Sequence, residues 1–133
     1  RVLAGPGPAA GRLVGGCLSL LAAVAGTPFA TPFDDAVLFL EDIHEPLYRV
    51  DRMLTQLYLS GSLKSIRAMV LGASILSVHD EAAAARIRER TGEIPLACGL
   101  FAGHTTPNLT LPLGSFARID ADSSLLVIDS PQV

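Results

Sequence analysis

The sequence predicts a domain of mixed α and β structure, in which helices alternate with strands early in the chain and strands cluster late, around one sheet system. The length of 133 residues and the hydrophobic fraction of 50% suit one domain that buries its own core without disulfide or metal support. Short continuous apolar runs such as Val37–Leu40 are typical of strands buried on both faces. In the first part of the chain, the segments between these apolar runs have helical periodicity. In the last part, only turn-sized segments separate the strand-like runs.

The N-terminal part predicts two short strands and one helix. Residues 1–10 are rich in Gly and Pro and include Val2-Leu3 as a short strand. Leu13-Val14 is predicted as a second strand, which runs into a turn at Gly15-Gly16 and then into a helix over Cys17–Ala25. A loop with two prolines and no periodicity then leads to the next strand.

The uncharged stretch Leu13–Phe33 raises the question of a membrane segment. Its strongly apolar part, Leu18–Ala25, is shorter than the roughly 20 residues that a membrane-spanning helix needs. A signal peptide is the better alternative, because Arg12, the apolar run and the small residues after it copy the three-part layout. The stretch does not begin the chain, however, and a buried helix ending at Gly26 explains it equally well. We favour the core helix and predict no membrane partner.

The middle part predicts two buried strands, Val37–Leu40 and Ala68–Gly72, each followed by a helix. Pro46 fits the first turn of the first helix, which Gly61 ends. The apolar positions of this helix fall on one face: Leu47, Val50, Leu54 and Leu57.

The second helix is predicted to begin at an N-cap, Asp80, and to run through an alanine-rich segment to Arg90. Gly92 closes it, and His79 beside the cap is expected at the surface. Strand-like runs follow with no helix between the last of them: Ile94–Cys98, Leu109–Leu113, Phe116–Ile119 and Leu125–Ile128.

Charge and cysteine content exclude several classes of function. Ten basic against 13 acidic residues give a net charge of −3, so the chain offers no basic surface for a nucleic acid. Cys17 and Cys98 lie far apart without a CxxC motif, which indicates neither a disulfide scaffold nor a zinc site and favours a reduced, cytoplasmic setting. No pair of histidines has metal-ligand spacing. We therefore predict no metal and no cofactor.

The segment Glu41–Glu45 is the first place where chemistry could occur, because polar residues there follow a buried strand directly. A carboxylate at a strand end can accept a hydrogen bond from an imidazole and fix its tautomer, which is the role of the acid in a nucleophile–histidine–acid triad. Alternatively, these acids and His44 only solvate a loop, with Glu45 capping the helix that starts at Pro46.

The second place is the segment Gly103–Asn108, between two predicted strands. His104 is flanked by a glycine and followed by a loop that Pro107 constrains, which suits a general base. By spacing alone, such a residue is more often an ordinary loop histidine.

Taken together, these segments resemble the C-terminal half of the LD-carboxypeptidases, the muramoyltetrapeptide carboxypeptidase family of serine peptidases. The resemblance rests on three blocks in the family's order, which extend over nearly the whole chain: Gly11–Leu21, then Leu38–Glu45 with Tyr48–Leu57, then Gly103-His104 with Pro107–Gly114.

The resemblance implies a swivelling β/β/α domain and an enzyme that removes the terminal D-alanine from muropeptide tetrapeptide stems during cell-wall recycling in the bacterial cytoplasm. It also implies a Ser-His-Glu triad divided between two domains, in which Glu41 matches the glutamate and His104 the histidine. No segment resembles the nucleophile turn of the family. Residues 1–133 are thus expected to be the C-terminal domain alone, inactive without the N-terminal nucleophile domain, and Arg1 in place of an initial Met agrees with a fragment.

The sequence departs from the family at Cys17, where Asn is usual, and at His44, where Gly is common. Two alternatives stay open: a microcin-immunity peptidase of the same fold, and a non-catalytic binding or dimerisation module. The implied partners are the tetrapeptide substrate, the chain's own N-terminal domain and a second copy of the chain as a homodimer.

The triad assignment carries a geometric expectation. The carboxylate of Glu41 and a ring nitrogen of His104 should lie within about 3 Å of each other, the reach of a catalytic hydrogen bond. Both side chains are expected to open onto the surface where the nucleophile domain docks.

Overall fold

The computed structural model describes residues 2–4, 7–75, 81–120 and 123–129, and these form one sheet with helices packed on it. The strands are β1 (Val2–Ala4), β2 (Pro8–Cys17), β3 (Val37–Glu41), β4 (Ala68–Gly72), β5 (Leu96–Leu100), β6 (Phe116–Asp120) and β7 (Leu125–Ile128). The helices are α1 (Leu18–Val24), α2 (Leu47–Leu59) and α3 (Glu81–Thr91). The predicted mixed α/β architecture is confirmed.

Within the described residues the sheet has seven strands in the order β1-β5-β4-β3-β2-β6-β7. Strands β2, β3, β4 and β5 are parallel, and they carry the helices as crossover connections. Strand β1 pairs antiparallel with β5 at one edge, while β6 and β7 extend the other edge antiparallel. The clustering of strands late in the sequence therefore corresponds to the antiparallel extension.

Strand β2 joins the two parts of the sheet. Its first half, Pro8–Arg12, pairs with β6, and its second half, Leu13–Cys17, pairs with β3. The chain thereby builds two apolar layers, one on each face of the parallel strands. The helices pack on one face around Leu38, Leu40, Met69 and Leu71, whereas Ala117 and Ile119 of β6 join the layer on the other face.

Strands β3 and β4 are buried along their whole length, as their continuous apolar runs predict. Helix α1 places Leu18 and Ala22 in the helical layer of the core, which confirms the core-helix interpretation of the uncharged stretch. Among the described residues, no helix combines the length and the apolar character that crossing a bilayer requires.

Helix α2 follows Pro46, which occupies the N-cap position just before the first turn, and it ends ahead of Gly61. Helix α3 ends where Gly92 donates its backbone N–H to the Arg88 carbonyl at 2.8 Å. The predicted cap Asp80 and the neighbouring His79 lie outside the described residues.

The predicted turn at Gly15-Gly16 is wrong, because both glycines lie inside β2. Their φ angles are 138° and 144°, and a Cβ built on Gly15 would lie 1.8 Å from the Phe39 carbonyl oxygen. A glycine pair predicts a turn because glycine accepts positive φ, but here the same freedom lets β2 approach β3 closely.

The predicted strand Leu109–Leu113 is also wrong, since the segment has no ladder partner and runs as a loop. Pro112 lacks a backbone donor, and Leu109 and Leu113 are half exposed rather than packed in a ladder. A smaller difference concerns the preceding strand, which spans Leu96–Leu100 instead of Ile94–Cys98. It therefore carries the chain two residues closer to His104.

Candidate active site

The carboxyl ends of the parallel strands β3, β4 and β5 lie side by side at one end of the sheet. Open α/β sheets place their sites just beyond these strand ends. Strand β3 ends at Glu41, and β4 ends at Gly72. Strand β5 leads into the loop that carries Gly103 and His104, and Ala73 after β4 donates its N–H to the Leu100 carbonyl at 2.8 Å. The topology thus brings together two predicted site residues that are 63 positions apart in sequence.

The side chains of Glu41 and His104 form a direct pair. Glu41 Oε2 lies 2.7 Å from His104 Nδ1 and accepts the backbone N–H of His104 at 3.0 Å as well. Because a carboxylate can only accept, Nδ1 carries the proton and donates it, which leaves Nε2 as the basic nitrogen of the ring. The expected juxtaposition is therefore met, and the roles of the two residues in catalysis stay a prediction.

The two partners differ in their exposure to solvent. The side chain of His104 is 47% exposed, whereas that of Glu41 is 9% exposed. The expectation that both open onto the surface is wrong for Glu41, because the loop carrying His104 covers it. A buried carboxylate under a half-exposed imidazole orients the ring while the ring alone faces a reactant.

Two glycines provide the space for the Glu41 side chain. A Cβ on Gly103, whose φ is +94°, would lie 2.2 Å from Glu41 Oε2. A Cβ on Gly72 would lie 2.8 Å from the Cβ of Glu41 and 3.1 Å from the Ala102 carbonyl oxygen. The sequence reasoning treated Gly72 only as a strand end, although a glycine inside a buried run is itself a signal of close backbone approach.

The loop carrying His104 is held by its own hydrogen bonds. Asn108 Oδ1 accepts the backbone N–H of Gly103 at 3.0 Å, and Leu109 donates its N–H to the Phe101 carbonyl at 2.7 Å. Thr105 Oγ1 donates to the Pro107 carbonyl at 2.9 Å. Asn108 is a positioning residue that sequence reasoning missed, because an Asn before an apolar segment carries no distinctive spacing.

The neighbouring acids have other partners. Asp42 is buried and accepts two backbone hydrogen bonds, each at 2.8 Å. One comes from the N–H of Ser19 in the first turn of α1, and the other comes from the N–H of Ile43. Asp42 therefore caps α1 from the position just after β3. Glu45 pairs with Arg49 at 3.3 Å, and α2 has no side-chain cap, so the alternative interpretation of Glu45 as the cap of α2 is wrong.

An open groove lies in front of His104. Its lining includes Ile43, His44, Ser74, Phe101 and His104, together with Thr105 and Thr106. His44 is exposed and has a φ of +37°, a left-handed conformation that explains why glycine suits this position. Cys17, at the end of β2, lies with its Sγ 3.1 Å from Ser19 Oγ.

Two further questions concern the nucleophile and metal ions. In the described ranges, no serine hydroxyl is hydrogen-bonded to the His104 ring. The same ranges contain no group of three His, Cys, Asp or Glu side chains that could hold a metal ion. The described residues thus bring together a half-exposed imidazole and a buried carboxylate that accepts its hydrogen bond.

Comparison with known proteins gives a consistent result. Residues 10–119 match the family described as the LD-carboxypeptidase C-terminal domain. A putative carboxypeptidase of Streptomyces coelicolor is 40% identical over 129 residues, covering 95% of this chain and 42% of the relative. A probable murein peptide carboxypeptidase of Bacillus subtilis is 33% identical, covering 94% of this chain and 41% of the relative. The chain therefore spans about two-fifths of the length of these curated relatives.

Solved structures agree with this match. The crystal structure of muramoyltetrapeptide carboxypeptidase from Oxalobacter formigenes superposes with a TM-score of 0.79 at 39% identity, over 96% of this chain and 49% of that one. The structure of the microcin-immunity protein MccF in complex with glutamyl sulfamoyl guanosine superposes with a TM-score of 0.81 at 28% identity, over 96% of this chain and 40% of that one.

Proposed function

The chain belongs to the LD-carboxypeptidase family, and on that premise we propose that it is the C-terminal domain of a serine-type LD-carboxypeptidase, to which it supplies the histidine and the glutamate of a Ser-His-Glu triad. The proposed reaction removes the terminal D-alanine from the tetrapeptide stem of a muropeptide in the cytoplasm. The names of the relatives support the substrate class, since they include a murein peptide carboxypeptidase and a muramoyltetrapeptide carboxypeptidase.

One observation carries the proposal: the 2.7 Å contact between Glu41 Oε2 and His104 Nδ1, with the carboxylate buried and the ring half exposed. A surface pair with both partners in water would hold neither residue in a fixed orientation. Here the carboxylate fixes the ring orientation and stabilises the imidazolium that forms during reaction. His104 Nε2 is the atom proposed to move protons.

The proposed steps follow from these roles. His104 Nε2 takes the proton of a serine hydroxyl as the serine oxygen bonds to the peptide carbonyl carbon. The imidazolium then gives that proton to the nitrogen of the leaving D-alanine as the C–N bond breaks. A water molecule next attacks the acyl-serine, His104 accepts its proton and returns it to the serine oxygen, and the shortened peptide leaves.

The serine is proposed to come from a separate nucleophile domain. Support comes from length, since about three-fifths of each of these curated relatives lies outside the part that this chain matches. The oxyanion donors are assigned to the same domain, because they usually include a backbone N–H beside the nucleophile. The 133-residue chain is therefore expected to be inactive by itself.

A second candidate is a peptidase of the microcin-immunity type, which would cleave an acyl–nucleotide conjugate. The observation in its favour is the superposition on MccF bound to glutamyl sulfamoyl guanosine. The same base and acid could serve both substrates, because both present a carbonyl carbon to a nucleophile. The difference would lie in the groove and in the nucleophile domain.

The experiment compares the 133-residue chain with the full-length protein that contains it, and measures D-alanine release from a muramoyl tetrapeptide. We expect release by the full-length protein and none by the chain. An aminoacyl sulfamoyl nucleotide as a second substrate separates the two candidates by their ratio of kcat/KM. Activity of the isolated chain near that of the full-length protein would contradict the divided triad. Inactivity of the full-length protein on both substrates would favour a binding module.

A further inference from the structure

Ser74 carries a buried hydroxyl without a partner beside the proposed base. Ser74 is 7% exposed as a whole residue. Its Oγ is buried and makes no hydrogen bond within the described residues. Burying a hydroxyl without a partner is unfavourable, so the fold gains no stability from it. Ser74 follows the carboxyl end of β4, beside the strand end that carries Glu41, and it lines the groove in front of His104. An unpaired donor in that place fits a ligand better than a structural role.

The groove around Ser74 is suited to an anion. Besides apolar Ile43 and Phe101, its lining side chains bring imidazoles from His44 and His104 and hydroxyls from Ser74, Thr105 and Thr106. Imidazoles and hydroxyls can donate hydrogen bonds. Among the described lining residues there is no carboxylate, and the nearby Glu41 Oε2 already accepts from His104. A negatively charged oxygen in this groove would therefore meet donors and, among the described lining residues, no like charge.

The proposed reaction requires such an anion close to His104. A carboxypeptidase cuts the bond before the last residue, so the free carboxylate lies one residue from the scissile carbonyl, and consecutive Cα atoms are about 3.8 Å apart. The leaving nitrogen and the free carboxylate are bonded to the same Cα of the terminal residue. When Nε2 of His104 reaches that nitrogen, the carboxylate must therefore lie close to the ring. The groove lined by Ser74 is continuous with the ring.

We propose that the groove lined by Ser74 and His44 is the subsite for the C-terminal carboxylate of the substrate, and that Ser74 determines specificity by donating its hydroxyl to that carboxylate. This inference rests on the proposed function. A serine hydroxyl changes direction by rotation about one side-chain bond between staggered rotamers, so Oγ can turn from its buried position into the groove when an acceptor arrives. The subsite selects a free C-terminus over a blocked one.

The test uses equilibrium binding, so that it does not depend on turnover. In the full-length protein carrying His104→Gln, which prevents cleavage, calorimetry measures the Kd of an L,D-tetrapeptide with a free C-terminus and of its C-terminal amide. We expect the free acid to bind more tightly. Adding Ser74→Ala should weaken binding of the acid by about tenfold or more and change binding of the amide by less than about threefold. Thermal stability should stay equal or rise, because an unpaired buried hydroxyl is removed.

Ser65→Ala is the matched control, because the Ser65 hydroxyl is exposed and donates to Asp34 at 2.7 Å outside the groove. It should leave the preference for the acid unchanged. Equal binding of acid and amide by the parent protein, or an unchanged preference after Ser74→Ala, would overturn the proposal. Failure of the wild-type protein to release D-alanine would instead contradict the proposed function, and the binding preference would still decide the role of Ser74.

Discussion

Two hydrogen-bonded acid–base pairs in this domain have nearly the same contact distance but lie in different parts of the fold. Glu41 and His104 meet at 2.7 Å at the end of the parallel strands, while Asp51 and Arg90 meet at 2.9 Å between α2 and α3. Both pairs join elements that are distant in sequence, and each has one partner that is largely buried. Distance and burial alone therefore do not separate a catalytic pair from a structural one.

The difference lies in the hydrogen-bonding capacity that remains to the basic partner of each pair. Arg90 donates to Asp51, to the Thr55 hydroxyl at 3.0 Å and to the Arg86 carbonyl at 2.6 Å, and its side chain is 17% exposed. Its Nε, Nη1 and Nη2 atoms thus all bond to partners on helices α2 and α3. His104 uses Nδ1 on Glu41 and keeps a second ring nitrogen at a half-exposed surface. We therefore expect a functional pair to differ from a structural one in its remaining hydrogen-bonding capacity and in its access to solvent.

The largest effect in this comparison should follow from removing the imidazole. In the full-length protein, His104→Ala should lower kcat for D-alanine release by roughly 10³-fold to 10⁴-fold or more, because the proposed acceptor of the serine proton is removed. The thermal midpoint should change little, since the ring is half exposed. Steady-state kinetics and calorimetry check the two parts, and a kcat within about tenfold of wild type would reject His104 as the base.

A smaller loss of activity should follow from disturbing the pair without removing it. Gly103→Ala places a Cβ against Glu41 Oε2, and should lower kcat by about 10²-fold through displacement of the reacting ring. It should also cost about 1–3 kcal/mol of stability, because φ there is +94°.

Gly92→Ala is the matched control for this change. Gly92 has a φ of +74°, but a Cβ there would meet nothing within 4 Å. It should lower stability by a similar amount and leave kcat unchanged. Equal losses of kcat in the two variants would show that Gly103 acts through general stability and not through Glu41.

The helix pair should show the reverse behaviour. Arg90→Ala should lower the free energy of unfolding by about 1–2 kcal/mol, because partly buried hydrogen bonds to Asp51 and Thr55 are lost. It should leave kcat unchanged. Arg67→Ala, which removes an exposed pair with Asp35, should cost less than about 1 kcal/mol. Thermal unfolding checks the order, and a loss of kcat in Arg90→Ala would erase the distinction between the two pairs.

Much of the fold was predictable because it follows from the pattern of apolar residues within short segments. The buried runs Val37–Leu40 and Ala68–Gly72 needed no tertiary information, since each is a short apolar run with a polar residue within two positions on either side. Leu125–Ile128 was predicted with its correct bounds. The resemblance to the family supplied the architecture that joins them.

The errors arose where the neighbouring strand decides the outcome. Gly15-Gly16 favours a turn locally, and only the closeness of β3 shows that the glycines serve a strand. Leu109–Leu113 alternates like a strand, but it pairs with none of the strands in the described sheet.

The site was predictable to the level of segments. Spacing could not distinguish Glu41 from Asp42 or Glu45 as the partner of a histidine, because all follow the same strand, and only the resemblance favoured Glu41. The structure separates them by direction: Glu41 meets His104, Asp42 caps α1, and Glu45 reaches Arg49. Ser74 could not be found from the sequence, since a buried hydroxyl without a hydrogen-bond partner among the described residues is a property of the packed structure.

The central claim is that Glu41 alone among these acids orients the base. The most direct measurement is kcat/KM for D-alanine release by three full-length variants, Glu41→Gln, Asp42→Asn and Glu45→Gln, each compared with wild type. Glu41→Gln should fall by about 10⁴-fold, as loss of the orienting acid does in a serine protease. Glu45→Gln should stay near wild type, and Asp42→Asn should lose stability at α1 with at most a tenfold change in kcat/KM of the folded protein. Damage from Asp42→Asn or Glu45→Gln with an active Glu41→Gln variant would contradict the account.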